Sequence, residues 1–385
     1  MATPFDHNTY SFADTDWVKT FFYAKPTHAP GTVFSYNTAA TVVLNALVEK
    51  LAGELFLDYM RPRLLDPIGF SKDAWCIQRP EGGSWGGSGV LCTLRDLTKF
   101  ALVFLNGGKW EGRQLLSEDY VKKATSCQVA TEHAVANETE SYGYGYQIWR
   151  TANNGFAMHG MGGQIALCLP DQELLLTTIG DLQSYGHSHD VITAFWDTVY
   201  KSLSDEALPE NKEGARKLAD TISAMSLPLP LGSAGKTTTP LLPSIQGRKY
   251  IMENNPMGIT QMCFDFAGDT GRFHYTNKSG DHVLTFGLGH YVSGKFPEPG
   301  YAGRKINVPG DLYACDAAGA WFNDDTLHLT VYITDDYLGA LRAQFTFRNN
   351  GVSVYMRKAA ENFLQQYQGF GYGTAVDSLG CSCLC

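Results

Sequence analysis

The sequence predicts an α+β first half followed by an all-β second half. Three observations carry this reading. Apolar residues recur at helical spacing in segments before residue 130, short alternating runs separated by Gly, Asn or Pro-Asp follow up to residue 179, and two-residue alternation prevails beyond residue 245.

The first helical segment runs from Thr38 through Ala39, Val42, Val43, Ala46, Leu47 and Leu51 to Gly53. Its apolar residues predict a buried helix, closed by a glycine suited to the left-handed C-terminal position. A second stretch, 55–65, ends at Asp66-Pro67-Ile68-Gly69, where proline removes a backbone donor and glycine permits the turn. A loop with Gly82, Gly83, Gly86, Gly87 and Gly89 leads to Thr93, which with Asp96 predicts a capping pair for a helix over 94–106. Ser117, followed by Glu118 and Asp119, opens a short helix to Ala124. Runs at 144–149, 155–159, 164–169 and 174–179 predict an antiparallel meander, and a closing helix over 190–203 carries Val191, Phe195, Trp196 and Val199.

The 385 residues suffice for two domains with cores of their own. A change of composition divides them: a mixed domain at 1–204, a charged and Pro-rich linker at 205–245, an all-β barrel or sandwich of about eight strands at 246–368, and a Cys-containing tail at 369–385. With 44% hydrophobic residues the chain is not disordered. A net charge of −9 gives no electrostatic reason to bind nucleic acid or an anionic membrane. No apolar run approaches the ~20 residues of a membrane span, and residues 1–16 lack a signal peptide's basic start and apolar stretch, so a cytoplasmic location is expected.

The nine cysteines are odd in number. Cys76, Cys92, Cys127, Cys168, Cys263 and Cys315 lie singly and are expected as reduced thiols; Cys381, Cys383 and Cys385 could hold a soft metal or a lipid, or simply end a frayed tail.

Few residues could carry chemistry. Tyr36 lies in Phe34-Ser35-Tyr36-Asn37-Thr38 at a helix start, where the positive helix end and nearby cations can lower a phenol's pKa and make it a base. The hairpin His159-Gly160-Met161-Gly162-Gly163-Gln164 is too glycine-rich for a plain strand, and free N–H groups there could bind an oxyanion. His187-Ser188-His189-Asp190 has metal-ligating residue types, but it falls at a helix start with Asp190 as a cap and no second cluster beside it, so no metal and no cofactor are expected.

The run 30–53, Arg63-Leu64-Leu65-Asp66-Pro67-Ile68-Gly69, Gly87-Ser88-Gly89 with 93–100, Tyr144-Gly145-Tyr146-Gln147 and the 160–164 hairpin, in this order and spacing, resemble the serine β-lactamase and penicillin-binding-protein superfamily. The nearest branch is similar to the class C-type hydrolases and esterases. The resemblance covers residues 1–204 and implies a β-lactamase-like antiparallel sheet with flanking helices. It also implies a Ser-x-x-Lys nucleophile and base, a Tyr-x-Asn and a Lys-Thr-Gly strand. Tyr36-Asn37-Thr38 matches the second element, with Thr38 where Asn is usual. Met158-His159-Gly160 occupies the third, and Met161 would give the strand N–H of the oxyanion hole. By this resemblance Tyr36 is the catalytic candidate, and Asn37, Thr38, His159, Gly160, Met161 and Gln164 the oxyanion and substrate-binding ones.

The lysine of the third element is missing, which favours neutral esters or amides over penicillins. The first element is missing too. Ser233-Ala234-Gly235-Lys236, in the linker, matches only its spelling. The expectation is therefore an N-terminally truncated serine hydrolase, without the strands and the Ser-x-x-Lys helix that precede the tyrosine motif. Such a chain would be inactive as written and prone to self-association through an uncovered strand edge and a bare face of the 190–203 helix. The alternative is a non-catalytic protein that binds ligands with the surviving cleft and the β domain.

Overall fold

The computed structural model describes residues 16–23, 25–135, 138–160, 162–182, 188–298, 312–334, 339–360 and 367–376. The chain divides into two compact units, Met1–Ser202 with Gly303–Pro309, and Leu203–Ala302 with Gly310–Cys385.

In the first unit, helix α1 (Trp17–Phe22) is capped by the Asp16 side chain and followed by α2 (Thr38–Ala52). The Asn37 side chain accepts from the Ala40 N–H at 2.9 Å, and Gly53, at φ 73°, ends α2 by donating to Glu49 O. The expectation of a buried helix is corrected. Ala39, Val42 and Asn45 are buried, whereas Leu44, Leu47 and Leu51 are exposed, because the apolar run is wider than the one face that has neighbours among the described residues.

The glycine loop leans on that covered face. A Cβ at Gly86 would overlap Asn45, and one at Gly87 would crowd Thr38 and Val42, so close approach requires glycine at both. Arg79 and Glu49 lock the loop down through a 3.2 Å ion pair, and Glu49 also accepts from the Ser84 and Phe56 N–H groups. The helical stretch Phe56–Met60 continues as one wide turn, Arg61–Leu65, which packs Leu64 and Leu65 with Ile68, Phe70 and Val103.

Helix α3 (Leu94–Leu105) begins with the predicted capping box of Thr93 and Asp96, and α4 (Glu118–Thr125) with the Ser117 cap. The sheet is antiparallel in the order β1 (Trp149–Arg150), β2 (Phe156–His159), β3 (Ile165–Leu169), β4 (Leu174–Thr178). The run at 144–149 is not a strand. Tyr144 makes only isolated bridges to Val129 and Trp149, and Gln147 at φ 62° turns the chain between them.

Alternation along β2 and β3 divides the core. Phe156, Ala166 and Cys168 face Ala101 and Phe104 of α3; Cys168 is a free thiol, as expected, and burial pushes it up to about 12. Ala157, Ile165, Leu167 and Leu169 face Ile192 and Phe195. The last two belong to α5 (Ser188–Ala194) and the wide turn Phe195–Val199 that extends it. The helix is thus already formed before Asp190, and its apolar face lies on the sheet rather than bare. It covers the sheet with Ile192 and Phe195, while Val199 points out.

In the second unit, residues 205–245 include helix α6 (Lys212–Ser223), exposed along its length. Beyond it, Lys236 pairs with Trp321 in an isolated bridge, and Ile245 is buried. The all-β part comprises β5 (Tyr250–Met252), β6 (Gln261–Ala267), β7 (Thr270–Asn277), β8 (Gly280–Leu288), β9 (Val292–Lys295), β10 (Ala314–Trp321), β11 (Thr326–Ile333), β12 (Gly339–Arg348), β13 (Gly351–Ala360) and β14 (Tyr367–Ala375). Antiparallel pairing runs β8-β7-β6-β5-β14-β13-β12-β11-β10. A parallel pairing of Gly287 and Leu288 with Ala318 and Gly319 closes the ring, with β9 on the remaining length of β10.

The domain is therefore a closed nine-stranded barrel. Phe264, Phe273, Phe286, Phe345 and Trp321 are fully buried in its core, and Gly271 and Gly319 lack the Cβ atoms that would strike the Phe286 ring. Two expectations are corrected here. Residues 369–375 are strand β14 rather than tail; Gly369, Gly371 and Gly373 resemble a loop in sequence but make room for Pro256, Met257 and Met252. Cys263 is disulfide-bonded rather than reduced, on the opposite side of β6 from Met262 and Phe264. Cys381, Cys383 and Cys385 lie outside the described residues. Among the described residues no helix is long and apolar enough to cross a membrane.

Candidate functional site

The start of α2 and the end of β2 meet at Trp149. The Tyr36 ring stacks on the Trp149 ring at 6.0 Å and 12°, the His159 ring stacks on it at 5.7 Å and 26°, and Tyr144 meets it edge-on at 4.6 Å. Tyr36 and His159, 123 positions apart in sequence, are thus gathered by one buried indole. The Gln147 side chain donates to Thr41 Oγ1 at 3.4 Å, tying the 144–147 turn to α2.

The chemistry of Tyr36 is the reverse of the sequence expectation. Although half of the Tyr36 surface is exposed, desolvation of the phenol and then the negative charge of Glu140 push it up, because the charge acting on it is an anion and not a cation. The Tyr144 phenol is pushed up by burial and by Tyr36 and Glu140. Tyr36 therefore holds its proton at neutral pH and stands as a hydrogen-bond donor. Asn37 Oδ1 is engaged in capping α2, and Thr38 is the first residue of that helix, packed against Gly87.

The glycine hairpin is internally bonded. Gly160 N donates to Gln164 O at 2.7 Å, Gly162 N to Gln164 Oε1 at 3.2 Å, and Gly163 N to Gly160 O at 3.3 Å. Gln164 Nε2 in turn donates to Gly180 O at 2.8 Å. The Gly160, Gly162 and Gly163 N–H groups are consumed by the turn, since a tight hairpin satisfies its own donors first. Met161 lies outside the described residues.

Sequence reasoning missed Glu140. Its Oε1 lies 2.9 Å from His159 Nε2 and 3.8 Å from His189 Nε2, and the two imidazoles cross edge to face at 5.2 Å. His189 Nδ1 lies 2.8 Å from Thr139 Oγ1. Nothing in the spacing of 140, 159 and 189 signals this meeting. His189 was visible in the His-Ser-His-Asp run, whose His187 lies outside the described residues.

The Ser233-x-x-Lys236 match belongs to the second unit. Ser233 sits in a single tight turn, Gly232–Ala234, and Lys236 pairs with Asp324 at 3.2 Å, so no helix holds the lysine over the serine.

A β-lactamase family model matches residues 2–180. A 6-aminohexanoate-dimer hydrolase of Paenarthrobacter ureafaciens is 26% identical over 132 residues, 34% of this chain and 34% of the relative. A solved structure from Bacillus anthracis, provisionally named a 6-aminohexanoate-dimer hydrolase, is 20% identical with a TM-score of 0.43, covering 51% of this chain and 50% of that one. Another from Bacteroides dorei DSM 17855, provisionally named a β-lactamase, is 18% identical with a TM-score of 0.34, covering 47% and 60%. The chain spans about a third of the curated relative's length and half that of the first structure. Residues 2–180, which hold the tyrosine and glycine-hairpin elements described above, match the β-lactamase family model, in agreement with the resemblance to the serine β-lactamase and penicillin-binding-protein superfamily.

Proposed function

We propose that the first unit carries the cleft of a β-lactamase-related serine hydrolase for neutral esters or amides, and that residues 1–385 alone do not turn substrate over. The observation that carries the second part is the state of Ser233 and Lys236: a tight turn and a surface ion pair leave no base beside the only serine with a lysine three residues on. Amide chemistry draws support from the curated relative, named a 6-aminohexanoate-dimer hydrolase. In this reading Tyr36 acts as a neutral phenol that donates to substrate, and His159 shapes the pocket.

A second reading, a non-catalytic binding protein, is favoured by the hairpin amides of Gly160 and Gly162, which are engaged with Gln164 rather than offered to an oxyanion. One experiment serves both. The purified chain is incubated with a fluorophosphonate, a chromogenic short-chain ester and the 6-aminohexanoate dimer. No labelling and no turnover are expected; stoichiometric labelling of Ser233, or esterase activity lost in Ser233→Ala, would overturn the proposal.

A further inference from the structure

We infer that Glu140, His159 and His189 form a binding site for one divalent first-row metal ion, of which Zn²⁺ is the natural probe. The site is independent of the hydrolase reading, because its occupancy is measured without turnover. One donor atom from each residue lies within 4.8 Å of the others. Ligands about 2.0–2.1 Å from a tetrahedral ion stand about 3.3 Å apart, and the 2.9 and 3.8 Å separations from Glu140 Oε1 to the two Nε2 atoms bracket that spacing.

His159 supplies the second observation. Its side chain is 8% exposed, yet neither ring nitrogen has a hydrogen-bond partner among the described residues. The 2.9 Å approach to Glu140 is off the ring's N–H direction. Two ligands that converge on a shared ion are misaligned with each other in this way, whereas a donor and acceptor sharing a proton are collinear. A buried imidazole with both nitrogens unmet is costly, and an ion on Nε2 meets one of them.

His189 is prepared for the same role. Its Nδ1 lies 2.8 Å from Thr139 Oγ1; in the tautomer that donates Nδ1–H to this hydroxyl, Nε2, 3.8 Å from Glu140 Oε1, carries the lone pair that a metal takes, a pairing common to metal-binding histidines. Glu140 is 17% exposed, and its ion-pair partners among the described residues are these two imidazoles, with no Lys or Arg. A divalent ion between them supplies a fixed positive charge beside the Glu140 carboxylate. Two His and one carboxylate suit Zn²⁺ and its neighbours in the first row better than Mg²⁺ or Ca²⁺, which prefer all-oxygen shells. Three ligands leave one tetrahedral position for water or a substrate atom.

The test uses the full, tag-free chain after dialysis against chelator. Calorimetry and competition with a chromogenic chelator are expected to show one equivalent of Zn²⁺ bound. Co²⁺ in its place is expected to give tetrahedral ligand-field bands without thiolate charge transfer. Glu140→Gln keeps the side-chain volume and His189→Ala alters a partly exposed ring, so both should keep the parental far-UV spectrum. Each should weaken binding beyond the about 10- to 100-fold expected of Thr139→Ala, since Thr139 contacts His189 Nδ1 and is not itself a ligand. Absence of binding in the parent, or undiminished binding in both ligand variants, would overturn the site. So would a Co²⁺ spectrum with thiolate charge transfer, which would assign the ion to cysteines; that spectrum decides the ligand set even if a variant fails to fold.

Discussion

Arg79 and Glu49 show how one pair of residues holds the glycine loop onto α2. Their side chains are 6% and 10% exposed, and Glu49 accepts two backbone N–H groups besides the guanidinium. Removing the arginine strands a carboxylate in a poorly solvated place, so Arg79→Ala is expected to cost about 3–5 kcal/mol in urea unfolding. Adding Glu49→Gln should recover part of that loss, because the amide keeps an acceptor for Ser84 and Phe56 without the charge. A double variant no more stable than the single would show that the pair acts through packing alone. At the same scale, Tyr36 and His159 could be singled out from sequence by their settings, but the phenol's upward shift could not. It depends on Glu140, 104 positions away, and on the Trp149 ring.

Among the elements, α3 was the most legible. Thr93, Asp96 and the stripe of Leu97, Phe100, Ala101 and Phe104 dictate both its start and its buried face, because capping and periodicity are local. Asp96 also reaches outside the helix to accept from Ser71 N at 2.8 Å. Burial pushes its pKa up, but hydrogen bonds from the Thr93 hydroxyl and from the Ser71 and Thr93 backbone, with the Lys99 charge, outweigh burial and hold the carboxyl below its ordinary value. The unfolded chain therefore binds this proton more readily. The stabilisation is complete above about pH 4, the unfolded pKa, and is lost as pH falls through the folded one. At neutral pH Asp96→Asn is expected to cost about 1–3 kcal/mol, and the gap to the parent should close in denaturation series carried below pH 4. A gap constant from pH 7 to pH 2 would exclude the carboxylate as its source. The 144–149 run shows the limit of the same reasoning: its aromatic residues suit a strand, but Gln147 turns the chain and only Trp149 enters the sheet.

For the molecule as a whole, the unmet surface of the first unit matters most. Leu44, Leu47 and Leu51 are 53%, 51% and 79% exposed along α2. Strand β4 pairs with β3 on one side, with no strand on its other side among the described residues. Apolar stripes and open strand edges favour contact with further chains. Concentration-dependent association is therefore expected in sedimentation velocity, reduced in Leu47→Glu/Leu51→Glu; a parent that stays monomeric at all concentrations would contradict it.

The sequence by itself determined the α+β and all-β halves, the helix caps, three of the four meander strands and the resemblance that the β-lactamase family model matches, because these depend on residues within a few positions of one another or on motifs read in order. Only the tertiary structure decided which face of α2 is covered, that the barrel closes through Gly287 and Leu288 on Ala318 and Gly319, and that residues 369–375 complete it. It also decided the meeting of Glu140, His159 and His189. Ring closure and ligand convergence join residues tens of positions apart, and no local pattern encodes a distance that the packing of intervening elements sets.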